Sequence, residues 1–293
     1  MRASNPFADD PATDPEDREL VRRAQGGDRE ALERLITSHQ AWIYNVVRRI
    51  LYWPEDSEDT TQEILIKVVT KLSTFEGRSS FRTWLYRLVV NHVLNLQRRK
   101  AESWDFARYK VALDAMPDKE LTDPNVIPAD IQLVVEEAKI GCTTGVLLCL
   151  DRDQRLIYVL SEIFGASDAV GAELFEITRE NFRQKLSRAR RDLHAFLNNQ
   201  CGLVNHANPC RCAKKTDAFI RAGFVNPQNL LFARERVIRV RDVAGKALGN
   251  LDALQTAFAD VHRGHPFDEP PDFVAALRSL INSASLKSTL ELE

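Results

Sequence analysis

The chain has 293 residues, enough for about two domains, and balances 40 Lys+Arg against 42 Asp+Glu for a formal net charge of −2. No segment approaches the roughly eighteen uninterrupted apolar residues that cross a bilayer, and MRASNPFADDPATDPED places proline and acids where a secretory signal needs an apolar core. Five cysteines, three of them clustered, argue against a secreted disulfide framework, so a cytoplasmic location is expected.

In chain order, residues 1–16 read as a disordered leader and 17–100 as a helical domain. A first helix over 18–24 stops at Gly26-Gly27, and Asp28 caps a second whose apolar positions Leu32, Leu35, Ile36, Ile43, Val46, Val47 and Ile50 share one face. Trp53-Pro54 ends it, because proline lacks the amide donor and restricts its predecessor. Two more helices are expected, over 57–73 and from 79 to about 99. Their apolar residues, Ile64, Leu65, Val68, Val69 and Leu72, then Phe81, Trp84, Leu85, Leu88 and Leu96, recur at helical spacing and are expected to pack a bundle. Charge is sharply segregated across this pair. Asp56, Glu58, Asp59 and Glu63 crowd the start of the third helix, where carboxylates suit the helix dipole. From Gly77 to Lys100 the only charged residues are Arg78, Arg82, Arg87, Arg98, Arg99 and Lys100, all positive, interleaved with Phe81, Trp84, Tyr86 and His92. Cations hold phosphates and flat rings stack on unpaired bases, which is the chemistry of a protein that holds opened DNA.

DSEDTTQEILIKV followed by FEGRSSFRTWLYRLVVN closely resembles region 2 of bacterial RNA polymerase sigma factors of the extracytoplasmic-function (ECF) group, over about seventy residues from Asp28 to Lys100. Thr60 and Val69 stand where leucine and tryptophan are frequent in that group. The resemblance implies that Asp56, Asp59, Gln62 and Glu63 meet the β′ clamp helices of core polymerase. It implies that the loop bearing Phe75, Arg78, Ser79 and Ser80 captures a flipped base of the −10 element, and that Arg82, Asn91, Asn95 and Arg98 contact DNA there.

Residues 101–130, with Pro117, Pro124 and Pro128, read as a linker carrying short helical pieces at most. Helical periodicity resumes at Ile131, and 131–199 is expected to form a second domain. LDRDQRLIYVLSEIFGASDAVGAELFEITRENFRQKLSRARRDLHAFL looks like sigma region 4, the −35-binding part that also meets the polymerase β flap. Within it a helix-turn-helix is expected: a support helix over 168–175, a turn at Glu176-Ile177, and Thr178 capping a recognition helix that runs to about Leu197. Phe182, Leu186, Ala189 and Leu193 fall inward, which leaves Arg179, Asn181, Arg183, Gln184, Lys185 and Arg188 for the major groove. Glu176 occupies a turn position where glycine is common.

Residues 200–293 form a C-terminal extension. Cys201, Cys210 and Cys212, with His194 or His206, supply enough ligands for a structural zinc ion, though not at finger spacing. Reduced thiols without metal and a two-thiol redox switch are the other two readings of the cluster. Further helices are expected over 216–222, 237–257 and 273–281. The extension packs on region 2, packs on region 4, or enlarges region 4; the sequence leaves all three open.

An all-α chain follows, with a helical bundle joined to a helix-turn-helix domain and a mostly helical extension. Its expected function is that of a sigma factor, conferring promoter recognition and DNA opening on core RNA polymerase for transcription initiation. The implied partners are core polymerase, promoter DNA and an anti-sigma factor, without membrane insertion. No cofactor is required, and no catalytic constellation is visible: there is no glycine-rich phosphate loop and no HExxH. The alternative is a stand-alone helix-turn-helix regulator.

Overall fold

A computed structural model describes residues 15–96, 104–119, 121, 131–231, 262 and 268–281, and every regular element among them is helical. In chain order these are α1 Pro15–Gln25, α2 Arg29–Leu51, α3 Pro54–Lys71, α4 Phe81–Asn95, α5 Phe106–Ala115, α6 Ile131–Val146, α7 Arg152–Tyr158, α8 Asp168–Phe175, α9 Arg179–Gln200, α10 Cys212–Arg221 and α11 Phe273–Ile281. None of the described helices is long and apolar enough to cross a membrane. The expected leader (apart from residues 15 and 16 in α1), Arg98, and the expected helix over 237–257 lie outside the described residues.

Local chemistry sets the boundaries. Asp28 caps α2 by accepting from the Ala31 amide at 3.1 Å, and Ser80 caps α4 through the Thr83 amide at 3.1 Å. α3 starts three residues before the expected position 57, because Pro54 fits the first helical position, where no amide partner is needed. The stretch read as a linker contains α5, capped by Asp105 on the Arg108 amide.

The chain divides into two compact units: Met1–Gln97, Phe164–Phe182 and Phe267–Glu293 make one, and Arg98–Ile163 with Arg183–Pro266 make the other. In the first, α1, α3, α4 and α11 pack around α2, and α8 lies on α4. Leu35, Ile43, Val46, Val47, Ile50, Ile64, Leu65, Phe81, Leu85, Val89 and Val90 form its interior. Trp84, expected in this core, is only half-buried; its ring rests on Phe75 and Phe81, both at 5.6 Å. The inward line of α4 runs through Phe81, Leu85 and Val89, one helical turn apart, and Trp84 falls on its flank.

In the second unit, α10 packs on α6. Arg155 is its largest fully buried side chain. Its guanidinium donates to the carbonyls of Leu147 (2.9 Å), Leu148 (3.3 Å) and Leu150 (3.0 Å), satisfying the 3₁₀ turn that follows α6. Phe196 of α9 meets the rings of Phe106 and Tyr109 from α5. The extension is bound here as well. Lys215 Nζ donates to the Met116 carbonyl at 2.5 Å, and buried His262 lies between Tyr158 Oη and the Thr143 carbonyl.

The helix-turn-helix follows its sequence boundaries closely. Thr178 Oγ1 accepts from the Asn181 amide at 3.2 Å, and Glu176 takes the left-handed conformation at φ 54°. Gly171 admits the Phe182 ring so closely that a Cβ there would stand 2.1 Å from Phe182 Cζ. Opposite outcomes are expected from two substitutions measured by denaturant unfolding. Gly171→Ala displaces Phe182 and destabilises the motif by about 1–3 kcal/mol. Glu176→Gly relieves the positive φ and stabilises it by up to about 1 kcal/mol.

Candidate polymerase and nucleic-acid interface

α3 buries Ser57, Thr60, Thr61, Ile64, Leu65, Val68 and Val69, which turns Asp59 and Glu63 outward to solvent, with Asp56 and Gln62 half-exposed beside them. Glu63 Oε2 also stands 3.3 Å from Nε2 of His92 on α4, and Lys67 Nζ lies 2.6 Å from the other ring nitrogen. His92, in sequence one of the rings interleaved with the cations, is buried. Burial, and then the Lys67 charge, lower its pKa, so it is neutral near pH 7. Its place is between α3 and α4.

The 75–80 loop is held from below. Gln25, at the end of α1, donates its side-chain amide to the carbonyls of Leu72 and Phe75, both at 2.9 Å. Gly77 turns the loop at φ 72°, a conformation that a residue without Cβ adopts cheaply. Phe75 packs edge-on against Phe81 at 5.8 Å and tilts over Trp84. The result is an aromatic shelf next in sequence to Arg78, whose side chain is 86% exposed and pairs with Glu76 at 2.5 Å. Ser79 is half-exposed, Ser80 serves the α4 cap, and Asn91 and Asn95 are exposed on α4.

Arg82 is engaged inside the bundle. Its Nε donates to Asp17 Oδ2 at 3.0 Å, and His39 Nε2 stands 3.2 Å from the same oxygen, with Asp17 almost fully buried. Burial alone would raise the Asp17 pKa; the hydrogen bonds and charges of His39 and Arg82 outweigh it and hold the carboxyl below its ordinary value. Arg87 likewise reaches Glu173 (3.5 Å) and Glu176 (3.6 Å). On α9, Arg179, Asn181, Arg183, Gln184 and Arg188 are exposed, whereas Lys185 is paired with Asp153.

The cysteines assemble differently from the zinc expectation. Cys201, Cys210 and Cys212 gather with a fourth, Cys142 of α6, which each of the three influences electrostatically. Yet among the described residues no group of three or more His, Cys, Asp or Glu side chains is placed to hold a metal ion. His206 is exposed, and His194 is half-buried within α9. Hydrogen bonds hold this turn. The side-chain amides of Asn205 and Asn208 donate to the Asn198 carbonyl near the end of α9, at 3.2 and 2.8 Å. Gly202 lies so close to Cys210 that a Cβ would stand 2.1 Å from its carbonyl oxygen. Burial pushes all four thiols up, Cys212 to about 12, with neighbouring thiols adding to the shift for all but Cys201.

Two pH dependences follow. Asp17 has a depressed folded pKa, so its stabilisation is complete above the unfolded value near 3.8 and is lost as pH falls through the folded value. Arg82→Ala is therefore expected to cost about 1–3 kcal/mol at pH 7 in urea unfolding, with the difference from the parent shrinking in acid. For Cys212 the folded pKa is raised. Its contribution is constant below the ordinary thiol value of 9.0 and declines as pH climbs from there towards about 12. In reducing buffer, Cys212→Ala is expected to show a flatter loss of stability than the parent chain over that window.

Residues 35–103 match the family described as Sigma-70 region 2. The RNA polymerase sigma-H factor of Pseudomonas aeruginosa is 28% identical over 185 residues, covering 61% of this chain and 92% of that protein. A solved structure titled "Structure of CnrH in complex with the cytosolic domain of CnrY" overlaps 62% of this chain and 97% of its own, at 21% identity and a TM-score of 0.45. The ECF RNA polymerase sigma-E factor of Escherichia coli K12 is 31% identical over 183 residues, which cover 59% of this chain and 90% of that factor. About two fifths of this chain thus lies outside either sigma alignment. With nine tenths of a relative at that identity accounted for, the chain belongs to the ECF group of RNA polymerase sigma factors.

Proposed function

We propose that this sigma factor divides promoter recognition among three surfaces: α3 for core polymerase, the 75–80 loop with α4 for the opened −10 strand, and α9 for the −35 duplex. The observation that carries the reading is the outward display of Asp59 and Glu63. Both carboxylates stay exposed on a helix that buries seven other side chains, and although one oxygen of Glu63 reaches His92, both groups remain open to a partner outside the bundle. A surface of that charge suits a basic partner, and for a sigma factor that partner is core polymerase.

The loop supports strand capture. A shelf of Phe75 and Trp84, with the exposed Arg78 next in sequence, offers a base a stacking face and its phosphate a cation. Capture must offset unstacking, which costs a few kcal/mol for each flipped base. Arg82 is left out of this assignment because Asp17 holds it. On α9, Asn181, Arg183 and Gln184 near the start of the recognition helix supply side chains that suit adenine and guanine edges. A stand-alone regulator would have no use for the α3 carboxylates or the aromatic loop.

Asp59→Lys combined with Glu63→Lys is expected to abolish binding to core polymerase while the far-UV spectrum stays unchanged. Promoter selection from a randomised library tests the other two surfaces. Arg183→Ala is expected to change the preferred −35 sequence, worth about 1–3 kcal/mol at one base pair. Arg78→Ala is expected to weaken all promoters alike and to flatten the salt dependence. Unchanged core affinity in the lysine double variant defeats the first assignment; an unchanged −35 preference in Arg183→Ala defeats the second.

A further inference from the structure

The segment that follows α3 is tied to the rest of the bundle through one side chain. Residues 72–74 form a 3₁₀ turn closed by the Phe75 amide on the Leu72 carbonyl at 3.1 Å. Residues 73, 74 and 76–78 are exposed, Phe75 is half-buried, and Gly77 is a left-handed pivot at φ 72°. Among the described residues, the only hydrogen bonds that reach residues 72–78 from another helix come from Gln25, the last residue of α1. Its amide nitrogen carries two hydrogens, one given to the Leu72 carbonyl and one to the Phe75 carbonyl, both at 2.9 Å. Two carbonyls three residues apart therefore converge on one atom. That convergence fixes the turn, and the turn fixes where the Phe75 ring leaves the backbone.

The donor is itself well held. α1 buries Leu20, Val21 and Ala24, and its Asp17 lies 3.2 Å from His39 Nε2 and 3.0 Å from Arg82 Nε. Gln25 thus extends from a helix anchored to both α2 and α4. On the receiving side, Phe75 stands edge-on to Phe81 at 5.8 Å and over Trp84 at 5.6 Å. One polar link therefore joins α1 to the aromatic shelf. Gln25 also lies outside residues 35–103, the part that matches Sigma-70 region 2.

We propose that Gln25 is a positioning residue for strand capture, holding the Phe75 ring in its base-stacking place before a promoter opens. This rests on the 75–80 loop being the surface that takes the opened −10 strand. A loop that samples other conformations binds with its affinity lowered by the competent fraction, and ordering it at the moment of binding is a cost that preorganisation removes. Two solvent-facing hydrogen bonds are each modest, so their loss is expected to weaken capture about five- to tenfold. The surfaces assigned to core polymerase and to the −35 duplex belong to other helices and are expected to keep their affinity.

Gln25→Met keeps the side-chain length and removes both donors, whereas Gln25→Glu keeps the shape and sets acceptors against two carbonyls. Each variant is assembled with core polymerase and offered a fork-junction DNA. Its single strand carries the −10 sequence selected by the parent holoenzyme, with 2-aminopurine placed at each −10 position in turn. The parent is expected to give an unstacking signal at a flipped base. Gln25→Met is expected to need about five- to tenfold more holoenzyme for half of that signal, and Gln25→Glu more again. Affinity for core polymerase and the preferred −35 sequence are expected to stay at parent values. Phe75→Ala is expected to weaken capture as well, and adding Gln25→Met to it to weaken capture little further, because one acts through the other. Full additivity of the two overturns the positioning role and leaves strand capture standing. So does unchanged capture in both Gln25 variants where Phe75→Ala weakens it. A fall in core affinity that matches the fall in capture overturns it too, as a general loss of fold. Unchanged capture in Phe75→Ala and Arg78→Ala alike removes the loop assignment itself, and the role of Gln25 with it.

Discussion

The surfaces of the N-terminal bundle depend on one carboxylate taken out of water. Asp17 lies almost fully buried, and such a group is tolerated only when charge and hydrogen bonds replace its hydration. His39 of α2 and Arg82 of α4 supply that replacement, so one acid ties together three helices that are distant in sequence. The tie fixes α1, and α1 in turn positions the loop, since Gln25 at its end holds the carbonyls of Leu72 and Phe75. The aromatic shelf next in sequence to Arg78 is thus a consequence of a pairing at the opposite end of α1.

That constraint also changes the meaning of the basic run on α4. Summed along the sequence, six cations between Gly77 and Lys100 look like one nucleic-acid footprint. In the fold they divide. Arg82 neutralises Asp17, Arg87 faces Glu173 and Glu176 of the helix-turn-helix, and Arg78 pairs with Glu76 at the solvent-exposed surface, where such a pair is weak. A cation that neutralises a buried acid offers less charge to a phosphate, because giving up that partner is costly. Available charge, and not total charge, then governs how many counterions a promoter releases on binding.

The elements most legible in the sequence were those with local chemistry. Asp28, Ser80 and Thr178 cap helices through residues three positions away, and a three-residue relation is visible in any sequence. Glycine's absence at position 176 could be noticed for the same reason, and the left-handed backbone is indeed found there. The partners of Arg82, Asn45 and Cys142 could not be seen. Asp17 lies 65 residues from Arg82, Asp268 lies 223 from Asn45, and no periodic pattern encodes contacts of that range. Cys142 stands alone in its helix, about sixty residues before the other three, and a single buried cysteine reads as ordinary packing. The asparagines of VNHANPC carry a local signal: such side chains commonly satisfy nearby backbone groups, and here both donate to the carbonyl of Asn198.

α2 shows why the extension belongs to the fold. Every residue from Trp42 to Leu51 is buried, including Asn45, Arg48 and Arg49. A helix on the rim of a bundle buries one stripe, whereas a helix buried all round needs cover on every side. α1, α3 and α4 leave the side facing Tyr44 and Arg48 to be closed by another element. The polar residues there specify what that element must carry: a backbone edge for Asn45 and an anion for Arg48, which Asp268 provides together. Arg49, lying over the Phe164 ring at 5.5 Å, sets a similar condition on the adjoining side. An apolar patch would accept any hydrophobic cover. A buried amide and a guanidinium accept only a segment that satisfies them, and this selectivity ties segment 268–281 to this bundle.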